Sequence, residues 1–212
     1  MNVTARFFHE SSFDNAADSN NTHYTNNSCN YSLQGSYNVT FSCAFNIAFN
    51  ALPGNWTCNV TIIDLENGSG SNYNVTSVNE LYAFNVSPQF IDYGWILPEG
   101  VSSEQFVNVY NLGNKEIDIA LWGYGSEKQD GYSLVCDYGN VSIDLERYSL
   151  SQGLDYYSMQ SLTPSPYPLD DFNLQPRNDS FEGFKPVYWR LKLPKPVRGS
   201  CNGFVVFSLI AS

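Results

Sequence analysis

Basic side chains are scarce in this sequence of 212 residues. Ten Lys and Arg stand against 21 Asp and Glu, which gives a net charge of -11 and a pI near 4.4. Nucleic-acid binding needs a cluster of positive charge to neutralise phosphates. The composition therefore excludes a nucleic-acid partner, and because all charged residues together are only 15% of the chain, solubility must come from neutral polar groups or from something attached to them.

Long apolar runs are also missing. The longest, at residues 204–207 with Leu209 and Ile210, is far shorter than the roughly 20 residues that a membrane-spanning helix requires. We therefore predict no membrane span. Met1 leads directly into Asn-Val-Thr without an apolar signal region, so we expect either a missing signal peptide or a start inside a longer precursor.

Few residues of this sequence are suited to catalysis. The two histidines, His9 and His23, lie in Asn- and Ser-rich surroundings that favour surface positions. The acidic pairs Asp170-Asp171 and Glu99 with Glu104 lack the spacing of a calcium loop or of paired acids on neighbouring strands. We predict no enzyme activity, no metal and no cofactor other than covalent glycans.

Asn-X-Ser/Thr sequons are the strongest signal. With 24 Asn and 33 Ser plus Thr, random order would give about four sequons, whereas the chain has twelve, ten of them within the first 85 residues. The excess predicts N-glycosylation and an extracellular or cell-surface location. The predicted sites are Asn2, Asn20, Asn26, Asn30, Asn38, Asn55, Asn59, Asn67, Asn74, Asn85, Asn140 and Asn178.

The pattern of side chains predicts β-strands almost throughout. Apolar and polar residues alternate over residues 39–49 and again over 56–62, and the Pro-Gly turn at 52–55 predicts that these two strands form a hairpin. Further strands are predicted near Ala5 and at 79–86, 90–96, 105–110, 116–122, 132–136, 141–148, 187–193 and 204–211.

Many short strands separated by turn residues are typical of immunoglobulin-like folds. Sequons become sparse, and charges and prolines commoner, after about residue 84. We therefore predict an all-β chain of two immunoglobulin-like antiparallel β-sandwich domains, residues 1–84 and 85–212.

Five cysteines without a CxxC spacing favour disulfides over a metal site. The predicted hairpin would hold Cys43 and Cys58 too far apart to bond. The expected pairs are Cys29 with Cys43 and Cys136 with Cys201, with Cys58 an inward-facing thiol or, alternatively, an intermolecular bridge.

Aromatic residues make up 16% of the chain. Aromatic side chains in sandwiches usually fill the core or pair across strands, but they also form platforms on which sugars stack. The candidates for such a platform are Trp95, Trp122, Tyr124, Tyr156, Tyr157 and Trp189.

Three runs of sequence carry a resemblance to known proteins. They are FSCAFNIAFNALPGNWTCNVTIID (41–64), QFIDYGWILPEGVSSEQFVNVYNLGNKEIDIALWGYG (89–125) and YWRLKLPKPVRGSCNGFVVFSLIAS (188–212). Together they look like the Asn/Thr-rich secreted surface proteins of small-genome archaea. The middle run, with Asn111, Gly113 and Asn114 at a turn, also resembles immunoglobulin-like modules, and the whole is similar to glycan-coated extracellular fibrils built from repeated β-subunits. The resemblance implies a cell-surface or filament protein with Cys136 and Cys201 as a structural pair, and it implies no active site.

Both ends of the chain are candidate assembly strands. Val3, Ala5 and Phe7 form one apolar face, and residues 204–210, with Phe204, Val206 and Ile210, are apolar on nearly both faces. Either end could complete a sheet of a second copy, or both could be ordinary strands of their own domains.

The function expected from the sequence is therefore a structural subunit of an extracellular glycosylated filament or surface layer. Its partners would be copies of itself in a head-to-tail homopolymer. The alternatives are an adhesin or carbohydrate-binding module that binds external glycans, and a viral spike or capsid glycoprotein.

Overall fold

A computed structural model describes residues 2–34 and 38–210. Its regular structure is β-strand, arranged in antiparallel sheets, with two single-turn 3₁₀ helices at Ile143–Leu145 and Tyr156–Ser158. The fold is all-β, as the alternating side chains predicted. No helix in the described ranges is long and apolar enough to cross a membrane.

The chain divides into two compact units. The first contains residues 1–83, 112–115 and 176–182, and the second contains 84–111, 116–175 and 183–212. Two short segments from the later part of the chain thus belong to the first unit. The continuous domains 1–84 and 85–212 stay a prediction.

The described residues of the first unit form a four-stranded sheet, of order β2-β1-β5-β6, and a separate two-stranded hairpin, β3-β4. The strands are β1 (Asn2–His9), β2 (His23–Asn26), β3 (Asn30–Gln34), β4 (Asn38–Ser42), β5 (Gly54–Ile63) and β6 (Ser69–Val78).

Trp56 on β5 is the centre of the first unit's core. It is fully buried, its ring stacks on Phe7 of β1 with centroids 4.8 Å apart, and its Nε1 donates to the carbonyl oxygen of Leu52 at 2.8 Å. Because the indole both fills the core and satisfies its own polar atom, it fixes β1 against β5 without the cost of an unpaired donor.

The predicted hairpin between residues 39–49 and 56–62 is wrong. Strand β4 ends at Ser42, and its partner is β3, with Tyr31 opposite Phe41 and Leu33 opposite Val39. Strand β5 instead pairs with β6 over its whole length and with β1 from Trp56 to Ile63. Alternation after Ser42 continues in the sequence, but residues 43–50 find no strand to bond with and remain irregular.

In the second unit, residues up to Ile210 form eleven strands in three sheets, of orders β13-β12-β15-β8-β7, β14-β9-β17 and β11-β10-β16. They are β7 (Phe84–Ser87), β8 (Gln105–Asn111), β9 (Asp118–Tyr124), β10 (Tyr132–Tyr138), β11 (Asn140–Ser142), β12 (Glu146–Ser149), β13 (Gln160–Ser161), β14 (Tyr167–Pro168), β15 (Phe184–Leu191), β16 (Arg198–Asn202) and β17 (Phe204–Ile210).

The core of the second unit comes from alternate residues of its longer strands. Val107 and Val109 of β8, Ile119 and Leu121 of β9, and Trp189 of β15 are at most 1% exposed. β-branched and aromatic side chains pack well on a pleated surface, which is why these segments were recognisable as strands.

Three further predicted strands differ from the structure. Residues 90–96 form no strand, β7 covers only the end of the predicted strand at 79–86, and the predicted strand at 141–148 is divided into β11 and β12 by the 3₁₀ helix at Ile143–Leu145. The last predicted strand, 204–211, is present as β17 to Ile210, while Ala211 lies outside the described residues.

Candidate assembly surface

Strand β17 lies at the edge of its sheet. It pairs with β9 in antiparallel register over all seven residues, from Phe204 opposite Tyr124 to Ile210 opposite Asp118. Among the described residues no strand pairs with its other side. An edge strand presents a row of backbone donors and acceptors that can bond to another extended segment.

The inward face of β17 is incompletely covered. Phe207 faces the core, since its ring contacts Trp189 of β15 edge-on at 6.2 Å. Its neighbour across the register on β9, Leu121, is fully buried, yet Phe207 is only half-buried and Leu209 is 38% exposed. These side chains lie on the same face of the sheet. Other residues therefore cover this face fully at β9 but only partly at β17.

A groove of about 1180 Å³ lies beside this open face. Its walls include residues of three strands that are each at a sheet edge, namely β7, β16 and β17. Apolar side chains, Leu191 and Leu193 among them, predominate in the lining. A large apolar groove next to a free strand edge is the geometry that accepts an added strand.

The irregular segment at residues 88–100 runs along the groove. Ten of its residues line it, and Phe90, Trp95 and Leu97 point large apolar side chains outward, with Trp95 fully exposed. Backbone hydrogen bonds hold only its end, where Glu99 N donates to Leu193 O at 2.8 Å. Exposed apolar clusters of this kind mark interaction sites. The sequence predicted a strand here, whereas the structure has an irregular segment that lines the groove.

One buried side-chain contact fastens this segment to the unit. Glu146 of β12, which is 2% exposed, accepts a 2.7 Å hydrogen bond from the Tyr93 hydroxyl. Burial raises the pKa of Glu146 to about 7, although contacts with Tyr93 and Ser133 act in the opposite direction. Burial, followed by the Glu146 charge, raises the pKa of Tyr93 well above its usual value. The sequence carried no signal for this pair, because residues 93 and 146 are distant in the chain.

The amino-terminal candidates lie elsewhere. Val3, Ala5 and Phe7 are buried in the core of the first unit, on a strand that has partners on both sides, β2 and β5. This is the arrangement of an ordinary central strand, which was the alternative expectation for this end. Of the carboxy-terminal candidates, Phe204 is 55% exposed, and Val206 and Ile210 share its outward face.

Both expected disulfides are present. Cys29 and Cys43 close the base of the β3-β4 hairpin, with Cα atoms 4.5 Å apart, and Cys136 and Cys201 join β10 to β16 at directly opposed positions 4.0 Å apart. Cys58 is a free, half-buried thiol packed against the Phe7 and Trp56 core, and burial raises its pKa.

Most sequons lie at the surface. Asn26 and Asn59 are half-buried, and the Asn59 amide donates to Asp14 at 2.9 Å, while the side chain of Asn38 lies outside the described residues. The remaining nine are exposed: Asn2, Asn20, Asn30, Asn55, Asn67, Asn74, Asn85, Asn140 and Asn178.

The predicted aromatic residues do not form one platform. Trp189 and Tyr156 are buried. Trp122 and Tyr124 lie together, but the Tyr124 ring stacks on Phe204 with centroids 4.9 Å apart, so neighbouring rings rather than solvent cover part of their faces. This arrangement offers little flat surface for a sugar ring.

No group of three or more His, Cys, Asp or Glu residues in the described part of the chain could hold a metal ion. The chain matches no protein-family model, no curated protein and no solved structure, so its function has to be argued from the geometry of its own surfaces.

Proposed function

We propose that this chain is a structural, non-enzymatic subunit of an extracellular glycosylated filament or surface layer. Its copies associate head-to-tail by strand addition. We interpret each unit as an immunoglobulin-like β-sandwich, and we place the protein with the Asn/Thr-rich surface proteins of small-genome archaea that its sequence resembles.

The observation that carries the proposal is the open side of β17. A seven-residue edge with a half-covered inward face leaves both backbone groups and apolar surface unsatisfied. A strand from a second copy would pair with the edge and close the core. The donating and accepting surfaces are then different parts of the same chain, so the contact is heterologous. Such a contact builds a fibre when the rotation from one copy to the next does not close a ring.

The covalent chemistry supports an extracellular site of assembly. Disulfides persist in oxidising compartments, and nine exposed sequons supply positions for glycans that would keep unrelated proteins away from the exposed strands. Cys136 and Cys201 also fasten β16, one wall of the groove, to β10. The groove wall is therefore held in place before a partner binds.

Electron microscopy and light scattering of the glycosylated full chain, over a concentration series at native pH, test this proposal. Long regular fibres or sheets are the expected result. Monodisperse monomers at every concentration would overturn it, closed shells would favour the viral alternative, and monomers that bind immobilised glycans would favour the adhesin.

A further inference from the structure

The β3-β4 hairpin leaves large apolar side chains of the first unit exposed. It forms a two-stranded sheet of its own, closed at its base by the Cys29–Cys43 disulfide. Tyr31 is 70% exposed and Leu33 is 73% exposed, values that core-facing residues of a folded sheet do not show. A two-stranded hairpin with an apolar face needs a further strand or layer to be stable by itself.

The two faces of this hairpin differ sharply. Tyr31 opposes Phe41 and Leu33 opposes Val39, so these four side chains share one face. Asn30 pairs with Ser42 on the opposite, polar face, and Asn30 is a predicted glycosylation site. A glycan on Asn30 would therefore leave the apolar face free.

Charge favours this region as the contact between copies. The chain has a net charge of -11, so two copies repel each other over most of their surfaces. Residues 19–63, which include the hairpin, contain no Asp, Glu, Lys or Arg. This neutral stretch can approach a second copy without like-charge repulsion and without burying an ionised group.

We infer that the β3-β4 hairpin of one copy is the segment that docks beside β17 of the next. This inference rests on the proposed function and names its donor. One strand of the hairpin bonds to the free edge of β17, which extends the β14-β9-β17 sheet.

In that position the pleat brings the apolar face of the hairpin over the groove. Tyr31, Leu33, Val39 and Phe41 then continue the inward face of Phe207 and Leu209, and Asn30 continues the outward face and stays in solvent. The five-residue strands match most of the seven residues of β17. The exposed side chains of the 88–100 segment, Phe90, Trp95 and Leu97, move aside as the hairpin enters, while the Tyr93 contact with Glu146 stays in place.

A matched pair of charge substitutions tests whether the β3-β4 hairpin is the docking segment. Leu33→Asp puts a carboxylate on the apolar face, and Ser42→Asp puts the same charge on the polar face of the same hairpin; neither position belongs to a sequon. Circular dichroism and thermal melting first establish that both variants fold. We expect Leu33→Asp to raise the critical concentration for assembly at least tenfold and Ser42→Asp to change it less than twofold.

Cross-linking tests whether β17 is the strand that receives the hairpin. In a Cys58→Ser background, Leu33→Cys protein is mixed with Val205→Cys or with Leu209→Cys protein, whose positions on the inward face of β17 are about 13 Å apart at the usual strand rise. We expect a heterodimer band on a non-reducing gel for at least one mixture, whatever the direction of docking. Ser42→Cys in place of Leu33→Cys is the control and should give none.

The outcomes separate the two proposals. Wild-type fibres together with normal assembly of Leu33→Asp, or with no cross-link in either mixture, would overturn the hairpin as donor and leave the filament function standing. Absence of wild-type assembly under all conditions would overturn both.

Discussion

Glu146 should make the stability of the second unit fall as pH rises from acid to neutral. Its folded-state pKa is raised from 4.5 to about 7, so between these values the folded chain holds a proton that the unfolded chain has lost. The stabilising contribution is fully present below pH ~4.5 and is lost as pH rises through about 7. The difference of the two pKa values corresponds to about 3 kcal/mol of unfolding free energy at 1.36 kcal/mol for each pKa unit.

The Glu146→Gln variant isolates this contribution. The amide keeps a carbonyl oxygen for the Tyr93 hydroxyl but cannot ionise. We expect wild type and variant to have similar unfolding free energies near pH 4.5 and to diverge until the variant is more stable by about 3 kcal/mol at pH 8. Subtracting one curve from the other removes the contribution of every other titrating group.

Urea denaturation at half-unit steps from pH 4.5 to 8.5 measures the two curves. Hydrogen exchange of the peptide containing β12 shows whether the change lies in the second unit. Parallel curves over the whole range would show that Glu146 ionises in the folded protein as freely as in water, and would refute its burial beneath the 88–100 segment.

Three further predictions follow from the disulfides, the thiol and the glycans. Replacing Cys136 and Cys201 by Ala should lower the unfolding free energy by roughly 4 kcal/mol in urea denaturation, because the bridge spans 65 residues; no change would contradict the bridge. Cys58 should react with iodoacetamide at pH 8 much more slowly than it does in urea, because burial raises its thiol pKa, and equal rates would place it in solvent. Peptide mapping should find more sugar on Asn74, on the exposed edge strand β6, than on Asn85, which lines the groove and lies close to Pro88; the reverse order would place a glycan in the groove and argue against a partner strand docking there.

Strand positions could be predicted from the sequence where a strand packs one face on a core. Strands β1, β8 and β15 show the alternation that their burial explains. The same alternation at residues 43–49 and 90–96 produced no strand, because alternation shows which side chains could face a core but not whether a second backbone lies within bonding distance. Strand β6 was missed for the opposite reason, since it is exposed on almost every residue and has no apolar face to detect.

Pairing was harder to predict than strand position. The Pro53-Gly54 turn suggested a local hairpin, yet β5 pairs with β1, about fifty residues earlier in the chain, and with β6. Long-range partners are chosen by the packing of Phe7 on Trp56, which no local pattern reveals. Cys29 with Cys43 was nevertheless the right pair, although the hairpin used to exclude Cys43 with Cys58 does not exist.

The candidate assembly surface could be predicted only in part. The apolar character of both faces of residues 204–210 was readable, and the strand predicted there is present; its role in assembly stays a prediction. The groove depends on three edge strands and the segment at 88–100, which come together only in the folded chain. Tyr31 and Leu33 were not recognised, and Trp95 was considered only as part of a sugar platform, because exposure of an apolar residue cannot be read from its own sequence neighbourhood.

The composition of β17 is itself an argument that its edge is used. Proteins protect a free sheet edge from unwanted pairing with Lys, Pro, bulges or a covering loop. Phe204–Ile210 has no charged residue and no proline, and its register with β9 runs without a bulge. A sequence under selection to stay monomeric would not keep seven such residues at an uncovered edge. The absence of charge, proline and bulges from this strand therefore favours an edge that a partner strand covers in the assembled protein.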